Sequence, residues 1–154
     1  MRFGAIAVAV LTISLSAFAA DPFVGTWKPD VEKWKLSPDA PERRKSELVV
    51  LESVGKDKYR ITWTKLDGNA ADTPPAIWTI DGKEHNEHEP GNGVIVRFQR
   101  VGDRHLKETA VGPKGSSVFE WIVSPDGNAL TYTRKGTGTT SGRPLDEVLV
   151  YSRN

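Results

Sequence analysis

The most unusual local composition in the chain lies at residues 83–90, Lys-Glu-His-Asn-Glu-His-Glu-Pro, where two histidines are flanked by carboxylates. His85 and His88 stand three positions apart, and neutral imidazole together with carboxylate is a suitable ligand set for zinc, copper or nickel. The segment lies in a predicted loop, so no helix face fixes the two rings, and no third histidine is near in sequence. Two interpretations stay open at this point, a metal site at His85 and His88 and a solvated turn.

A pair of carboxylates is the second candidate for chemistry. Glu108 and Glu120 fall on neighbouring predicted strands, with Arg97 near either of them, and paired carboxylates can catalyse hydrolysis. Alternating charges are equally typical of the solvated face of an antiparallel sheet. The chain has no Gly-x-Ser-x-Gly elbow, phosphate-binding loop or dinucleotide fingerprint. The sequence therefore favours a protein that is not an enzyme and uses no cofactor.

The third candidate for a functional site is the set of aromatic residues at alternating positions. Alternate residues of a strand point to the same face of the sheet, so these rings would share one face. A barrel of about eight strands is just wide enough to be filled by side chains or to hold one small ligand. We expect an apolar or aromatic ligand, oriented by Arg97 or by tyrosine hydroxyls. The alternative is that the rings fill the core of a structural or protein-interaction barrel. The predicted ligand-binding residues are Tyr59, Trp63, Arg97, Phe98, Phe119, Trp121 and Tyr132.

The elements that must position these residues are short strands. Period-two patterns rich in β-branched and aromatic residues recur along the chain, separated by Gly, Asn and Asp clusters that suit tight turns. One short helix is expected in residues 30–44, after the first strand. The pattern predicts an all-β, antiparallel up-and-down barrel of about eight or nine strands, near 24–29, 46–54, 58–66, 76–81, 93–101, 104–111, 116–124, 129–135 and 146–152.

Residues 1–20 have the form of a secretory signal peptide. Arg2 precedes an apolar run, and Ala17-Phe18-Ala19 has the small-x-small pattern of a cleavage site, so we expect cleavage after Ala19 or Ala20. The apolar run falls short of the about 20 residues that span a bilayer, so no membrane span is expected in the mature form. The sequence thus predicts one domain, residues 21–154, in a periplasmic or secreted protein.

Charge and cysteine content exclude several classes of function. Without Arg2, 20 basic residues remain against 20 acidic ones, a balance that gives no field for binding nucleic acid. The chain has no cysteine, which excludes disulfides, thiolate metal sites and thiol catalysis.

Residues 21–28, Asp-Pro-Phe-Val-Gly-Thr-Trp-Lys, carry a Gly-x-Trp signature directly after the leader. Further similarity lies in Glu-Lys-Trp-Lys-Leu at 32–36, Ser-Pro-Asp-Gly-Asn-Ala-Leu-Thr at 124–131 and Val-Leu-Val-Tyr at 148–151. On these segments the mature chain resembles small exported bacterial lipocalin-like proteins of the calycin superfamily, whose function is uncharacterised. The resemblance implies a ligand-binding barrel in which Gly25 and Trp27 close one end under an arginine from the last strand, here Arg153.

Overall fold

The computed structural model describes residues 21–38, 47–66, 69, 74–86 and 92–154. They form ten β-strands and a single turn of 3-10 helix, Val31–Lys33. No helix within these residues is long and apolar enough to cross a membrane. The strands are β1 Gly25–Pro29, β2 Glu47–Gly55, β3 Lys58–Lys65, β4 Ala76–Thr79, β5 Glu84–Asn86, β6 Ile95–Gly102, β7 His105–Gly112, β8 Gly115–Val123, β9 Ala129–Thr137 and β10 Pro144–Arg153.

All ten strands belong to one antiparallel sheet with the order β4-β3-β2-β1-β10-β9-β8-β7-β6-β5. Strands that follow one another in the chain are paired, with the single exception that β4 does not pair with β5. The first and last strands, β1 and β10, are also paired. The prediction of an all-β up-and-down sheet is therefore confirmed, whereas the predicted count of eight or nine strands is wrong. The sheet is a curled half-barrel, since β4 and β5 form its two edges and are not paired with each other.

One end of the half-barrel, which we call the closed end, is covered by residues 21–24 and by Arg153. Phe23 and Trp27 are fully buried there, and the Trp27 indole Nε1 donates to the Phe23 carbonyl at 3.0 Å. The Arg153 guanidinium lies 4.3 Å from the centre of the Trp27 ring, a cation–π geometry. It also donates to the carbonyls of Val24 and Pro22, at 2.8 Å each. Gly25 is required beside it, because a Cβ at this position would clash with the Arg153 guanidinium.

The segment after β1 runs beside the part of β10 that β1 does not pair with. Lys35 forms a backbone bridge with Val148, and the Trp34 indole Nε1 donates to the Val150 carbonyl at 2.8 Å. The Trp34 ring then packs against Tyr151, with 5.6 Å between ring centres. The short helical turn thus directs an aromatic side chain onto the core.

Candidate functional site

The inner face of β6–β10 carries one continuous row of side chains in direct cross-strand register. Phe98 stands opposite Glu108, which stands opposite Phe119 on β8. Phe119 in turn stands opposite Arg134, and Arg134 opposite Glu147. We call these five residues the mixed row, because it combines three charged side chains with two phenyl rings. Residues with this register share one face of the sheet, so the row faces the interior.

Aromatic rings from opposite walls meet at this row. Trp78, on the edge strand β4, stacks on Phe98 of β6 with 5.0 Å between ring centres. It also contacts Trp121, which stacks on Tyr132 at 3.8 Å. Tyr132 stacks on Phe119 at 6.0 Å. These contacts bring four of the sequence-predicted residues, Phe98, Phe119, Trp121 and Tyr132, into one aromatic group.

Trp63, another predicted ligand-binding residue, lies on the opposite wall. Its strand partner is Val49, which is buried, so the indole faces the interior as well. Trp63 remains partly exposed while packing against the core. The interior therefore has aromatic surface on two walls.

A second row lies beyond the mixed row, toward the end of the half-barrel opposite the closed end, which we call the far end. Its members are in register with one another and face the interior, and most of them are short: Val96, Ala110, Ser117, Gly136 and Leu145. We call these residues the short row. These short side chains add little bulk on the far-end side of Phe119 and Arg134, although Phe98, Phe119 and Glu147 are themselves buried.

The charged end of the mixed row contains an ion pair, and two buried donors without acceptors lie in or beside the row. Arg134 Nη1 donates to Glu147 Oε2 at 2.9 Å, and Glu147 is only 2% exposed. The Arg134 guanidinium also lies 5.7 Å from the centre of the Phe119 ring. Within the described residues, neither Arg134 Nε nor the Trp121 indole Nε1 has a hydrogen-bond partner, although both atoms are buried. Such donors favour a binding partner that accepts a hydrogen bond.

Tyr59, also predicted to bind a ligand, lies instead at the closed end. Its hydroxyl donates to the Asp21 carboxylate and accepts from Arg100, which lies 5.5 Å from the centre of the Phe23 ring. Burial, with the hydrogen bond to Asp21, raises the pKa of the Tyr59 hydroxyl above its usual range. This network ties the N-terminal segment to β3 and β6.

The expectation that Arg97 orients a ligand inside the barrel needs correction. Its neighbours Val96 and Phe98 are buried and face the interior, so Arg97 lies on the outer face of β6. There its Nη2 donates to Glu84 Oε1 of β5 at 2.8 Å. Arg134, which sequence analysis did not single out, is the arginine that the interior contains beside the aromatic group.

The carboxylates weighed as a catalytic pair lie on opposite faces of the sheet. Glu108 stands opposite Phe119 on the inner face, whereas Glu120 stands opposite Lys107 on the outer face. Glu120 lies 3.2 Å from His105 Nε2 there. Glu108 and Glu120 therefore cannot act together on one substrate.

The histidine segment is described only in part. His85 lies on β5, opposite Val96, and its Nε2 is 2.9 Å from the Asp81 carboxylate. This hydrogen bond lowers the pKa of Asp81. His88 lies outside the described residues. Within the described part of the chain, no group of three or more histidine, cysteine or acidic residues could hold a metal ion. Metal binding at His85 and His88 stays a prediction.

A depression of about 210 Å³ opens in the gap between the edge strands β4 and β5. Its lining combines Ile77 and Thr79 of β4 with His85 and Asn86 of β5 and with Val96 and Phe98 of β6. Val96 and Phe98 are the β6 members of the short row and the mixed row. Ile77 alternates with buried Trp78 and is exposed, so the depression opens on the outer face and reaches as far as the β6 residue of each row.

Comparison with solved structures identifies the fold. A Schistosoma mansoni fatty acid binding protein, solved in complex with arachidonic acid, aligns with a TM-score of 0.58 and 15% identity over 86% of this chain and 96% of that one. The wild-type fluorescent protein UnaG aligns with a TM-score of 0.56 and 15% identity over 86% of this chain and 97% of that one. No protein-family model and no curated protein matches the chain. The chain thus has the same fold as these two proteins, while identities this low show the fold alone.

Proposed function

We propose that the protein binds one small, largely apolar molecule at the mixed row and releases it unchanged. The observation that carries this proposal is the inner face itself, where Phe119 and Tyr132 lie below the short side chains of Ala110, Ser117 and Gly136. Large apolar residues are typical of core positions, whereas these positions carry short side chains and Tyr132 beside them is only partly buried. An apolar molecule placed there would bury that surface.

The energetics follow from removing apolar surface from water, at about 25 cal/mol per Å² buried. The partly buried rings of Tyr132 and Trp63 would supply most of that area, and the Trp121 indole N–H would hydrogen-bond an acceptor on the ligand. The fatty acid binding protein of the same fold, solved with arachidonic acid, supports this use of the interior by analogy.

The gap between β4 and β5 is the route by which we expect the ligand to enter. The depression there, of about 210 Å³, is smaller than the roughly 300–1,000 Å³ of typical ligand pockets. Entry would therefore require the edge strands to part further. Because β5 has only three residues, its separation breaks few backbone hydrogen bonds.

The proposal also places the protein outside the cytoplasm, on the signal-peptide pattern of residues 1–20. N-terminal sequencing of the protein from an exporting bacterial host tests this. A sequence beginning at Ala20 or Asp21 supports export, and one beginning at Met1 or Arg2 contradicts it.

Titration with Nile red, an uncharged apolar dye, tests the binding proposal. We expect saturable dye fluorescence at one dye per chain, and a loss of about tenfold in affinity in Tyr132→Ser. Thr133→Ser, the next residue on the outer face of β9, is the matched control and should bind as the wild type does. Non-saturable fluorescence, or equal binding by both variants and the wild type, would contradict the proposal.

A further inference from the structure

We propose that the ligand's polar group is uncharged and accepts a hydrogen bond, so that the ligand is an apolar alcohol, ester, ketone or amide and not a fatty-acid anion. This inference rests on the proposed function, because it concerns the charge of the molecule that the mixed row receives. Three observations support it. The inward-facing cations already have partners, carboxylates face the interior, and two buried N–H donors have no acceptor among the described residues.

The cation beside the aromatic group is already matched by a carboxylate. Arg134 donates to Glu147 at 2.9 Å, and the Glu147 side chain is 3% exposed whereas that of Arg134 is 36% exposed, so the carboxylate is the partner that is withdrawn from water. A ligand carboxylate at Arg134 would have to share that guanidinium with Glu147. Two carboxylates sharing a site raise each other's energy when both are ionised.

The other inward-facing cations of the described residues also have partners. Arg100 binds the Asp21 carboxylate and the Tyr59 hydroxyl at the closed end. Lys65 stands opposite Glu47 in the register of β2 and β3, on the face that carries Trp63. Arg153, over Trp27 at the closed end, is held by three backbone carbonyls. A second buried carboxylate would therefore have to compete for a cation that already has partners, and burial of an unmatched charge is strongly unfavourable.

The carboxylates that face the interior also favour an uncharged ligand over an anion. Glu108 stands beside Phe119 in the mixed row, and Glu147 ends that row. An anionic ligand lying against Phe119 would therefore have an acidic residue on the neighbouring strand β7 and another on β10. With Arg134 matching one of these two carboxylates, the row has a formal charge of −1, which disfavours a further negative charge beside Phe119.

The buried donors fit an uncharged acceptor. Trp121 is 4% exposed, and its indole Nε1 has no acceptor among the described residues. Arg134 Nε is also a buried donor atom without an acceptor among these residues. Trp121 stands opposite Tyr132, and Arg134 stands opposite Phe119, so the two donors lie on diagonal positions of β8 and β9. One carbonyl or hydroxyl oxygen between them would satisfy a donor without bringing a net charge.

Competition against bound Nile red with two ligands of equal chain length, dodecanol and dodecanoate, tests the inference at neutral pH. We expect dodecanol to bind about tenfold more tightly than dodecanoate. In Glu147→Gln, where Arg134 loses its carboxylate, we expect the affinity for dodecanoate to rise about tenfold and that for dodecanol to stay within about twofold. Asp146→Asn, the exposed neighbour on the outer face of β10, should change neither affinity.

A second variant keeps the test decisive if Glu147→Gln does not fold. Trp121→Phe keeps the ring and removes the N–H, so we expect the affinity for dodecanol to fall about fivefold while that for dodecane, which has no acceptor, is unchanged. Dodecanoate binding as tightly as dodecanol to the wild type would overturn the inference and leave the proposed function standing. If neither ligand displaces the dye and the dye itself does not bind, the proposed function fails with it.

Discussion

Arg134 and Glu147 face each other across β9 and β10 and form a 2.9 Å hydrogen-bonded ion pair on the inner face of the sheet. The pair lies at one end of a row that also contains Glu108 and two phenyl rings, and Arg134 lies over the nearer ring, that of Phe119. It therefore joins the polar and aromatic parts of the proposed site. Under our proposal, it also disfavours a negatively charged ligand there.

Removing the carboxylate of this pair should destabilise the fold. In Glu147→Gln, Arg134 keeps its charge but loses its acceptor inside the sheet. Breaking a fully buried pair costs about 3–5 kcal/mol, but the Arg134 side chain is 36% exposed, so we expect a loss of about 1–2 kcal/mol in the free energy of unfolding. Urea unfolding measures it, and Asp146→Asn on the outer face should shift the value by less than about 0.5 kcal/mol. Equal stabilities of the two variants would contradict the pairing.

Gly25→Ala should disrupt the closed end. The added methyl group would clash with the Arg153 guanidinium, and the φ of +147° at Gly25 suits glycine alone. We expect a loss of about 2 kcal/mol and increased exposure of Trp27 to collisional quenchers of its fluorescence. Gly102→Ala is the control, since the nearest atom to its added Cβ, the His105 Cβ, is 3.9 Å away. An unchanged melting temperature in Gly25→Ala would show that Arg153 does not cover Trp27.

The Tyr59 hydroxyl should make the fold sensitive to alkali. Its pKa is raised in the folded protein above the ordinary value of 10.0, so folding favours the protonated phenol. The stabilisation is complete below pH 10.0 and is lost as the pH rises above that value toward the higher folded pKa. We expect Tyr59→Phe, measured by urea unfolding across this alkaline range, to lose less stability per pH unit than the wild type. Parallel pH profiles would exclude the raised pKa.

The short row predicts that the interior tolerates an added side chain. Ala110→Leu places three further carbon atoms above the mixed row, where the proposed ligand lies. If the space is available, the variant folds with a melting temperature near that of the wild type and binds Nile red at least about tenfold more weakly. Val111→Leu, on the outer face at 57% exposure, should leave dye binding unchanged. A strongly destabilised Ala110→Leu would mean that the core is already filled at this point.

Much of the fold follows from period-two alternation. The alternating residues of YRITWTK and SVFEWIV place Tyr59, Trp63, Phe119 and Trp121 on the inner face, as the structure does. β5 was missed because Glu84, His85 and Asn86 carry no alternating apolar residue, and their pairing depends on the neighbouring strand β6 alone. The unpaired edges at β4 and β5 were missed for a similar reason, since alternation indicates strands but not which edges meet.

The site was predicted less completely than the fold. The same alternation that places Val96 and Phe98 inside assigns Arg97 to the outer face, so the role given to Arg97 conflicted with its own pattern. Continuing the alternation of Leu130 and Tyr132 by two positions reaches Arg134, and the alternation of Tyr151 and Leu149 reaches Glu147. That signal was present in the sequence. The contact between the two charges was not, because it depends on the cross-strand register.

Native mass spectrometry of the purified protein with dodecanol tests the proposed ligand site itself, because it counts bound molecules. We expect one dodecanol per wild-type chain, lost on denaturation, and none in Ala110→Leu at the same concentration. A wild-type mass that dodecanol leaves unchanged, or equal binding by Ala110→Leu, would contradict a ligand site at the mixed row.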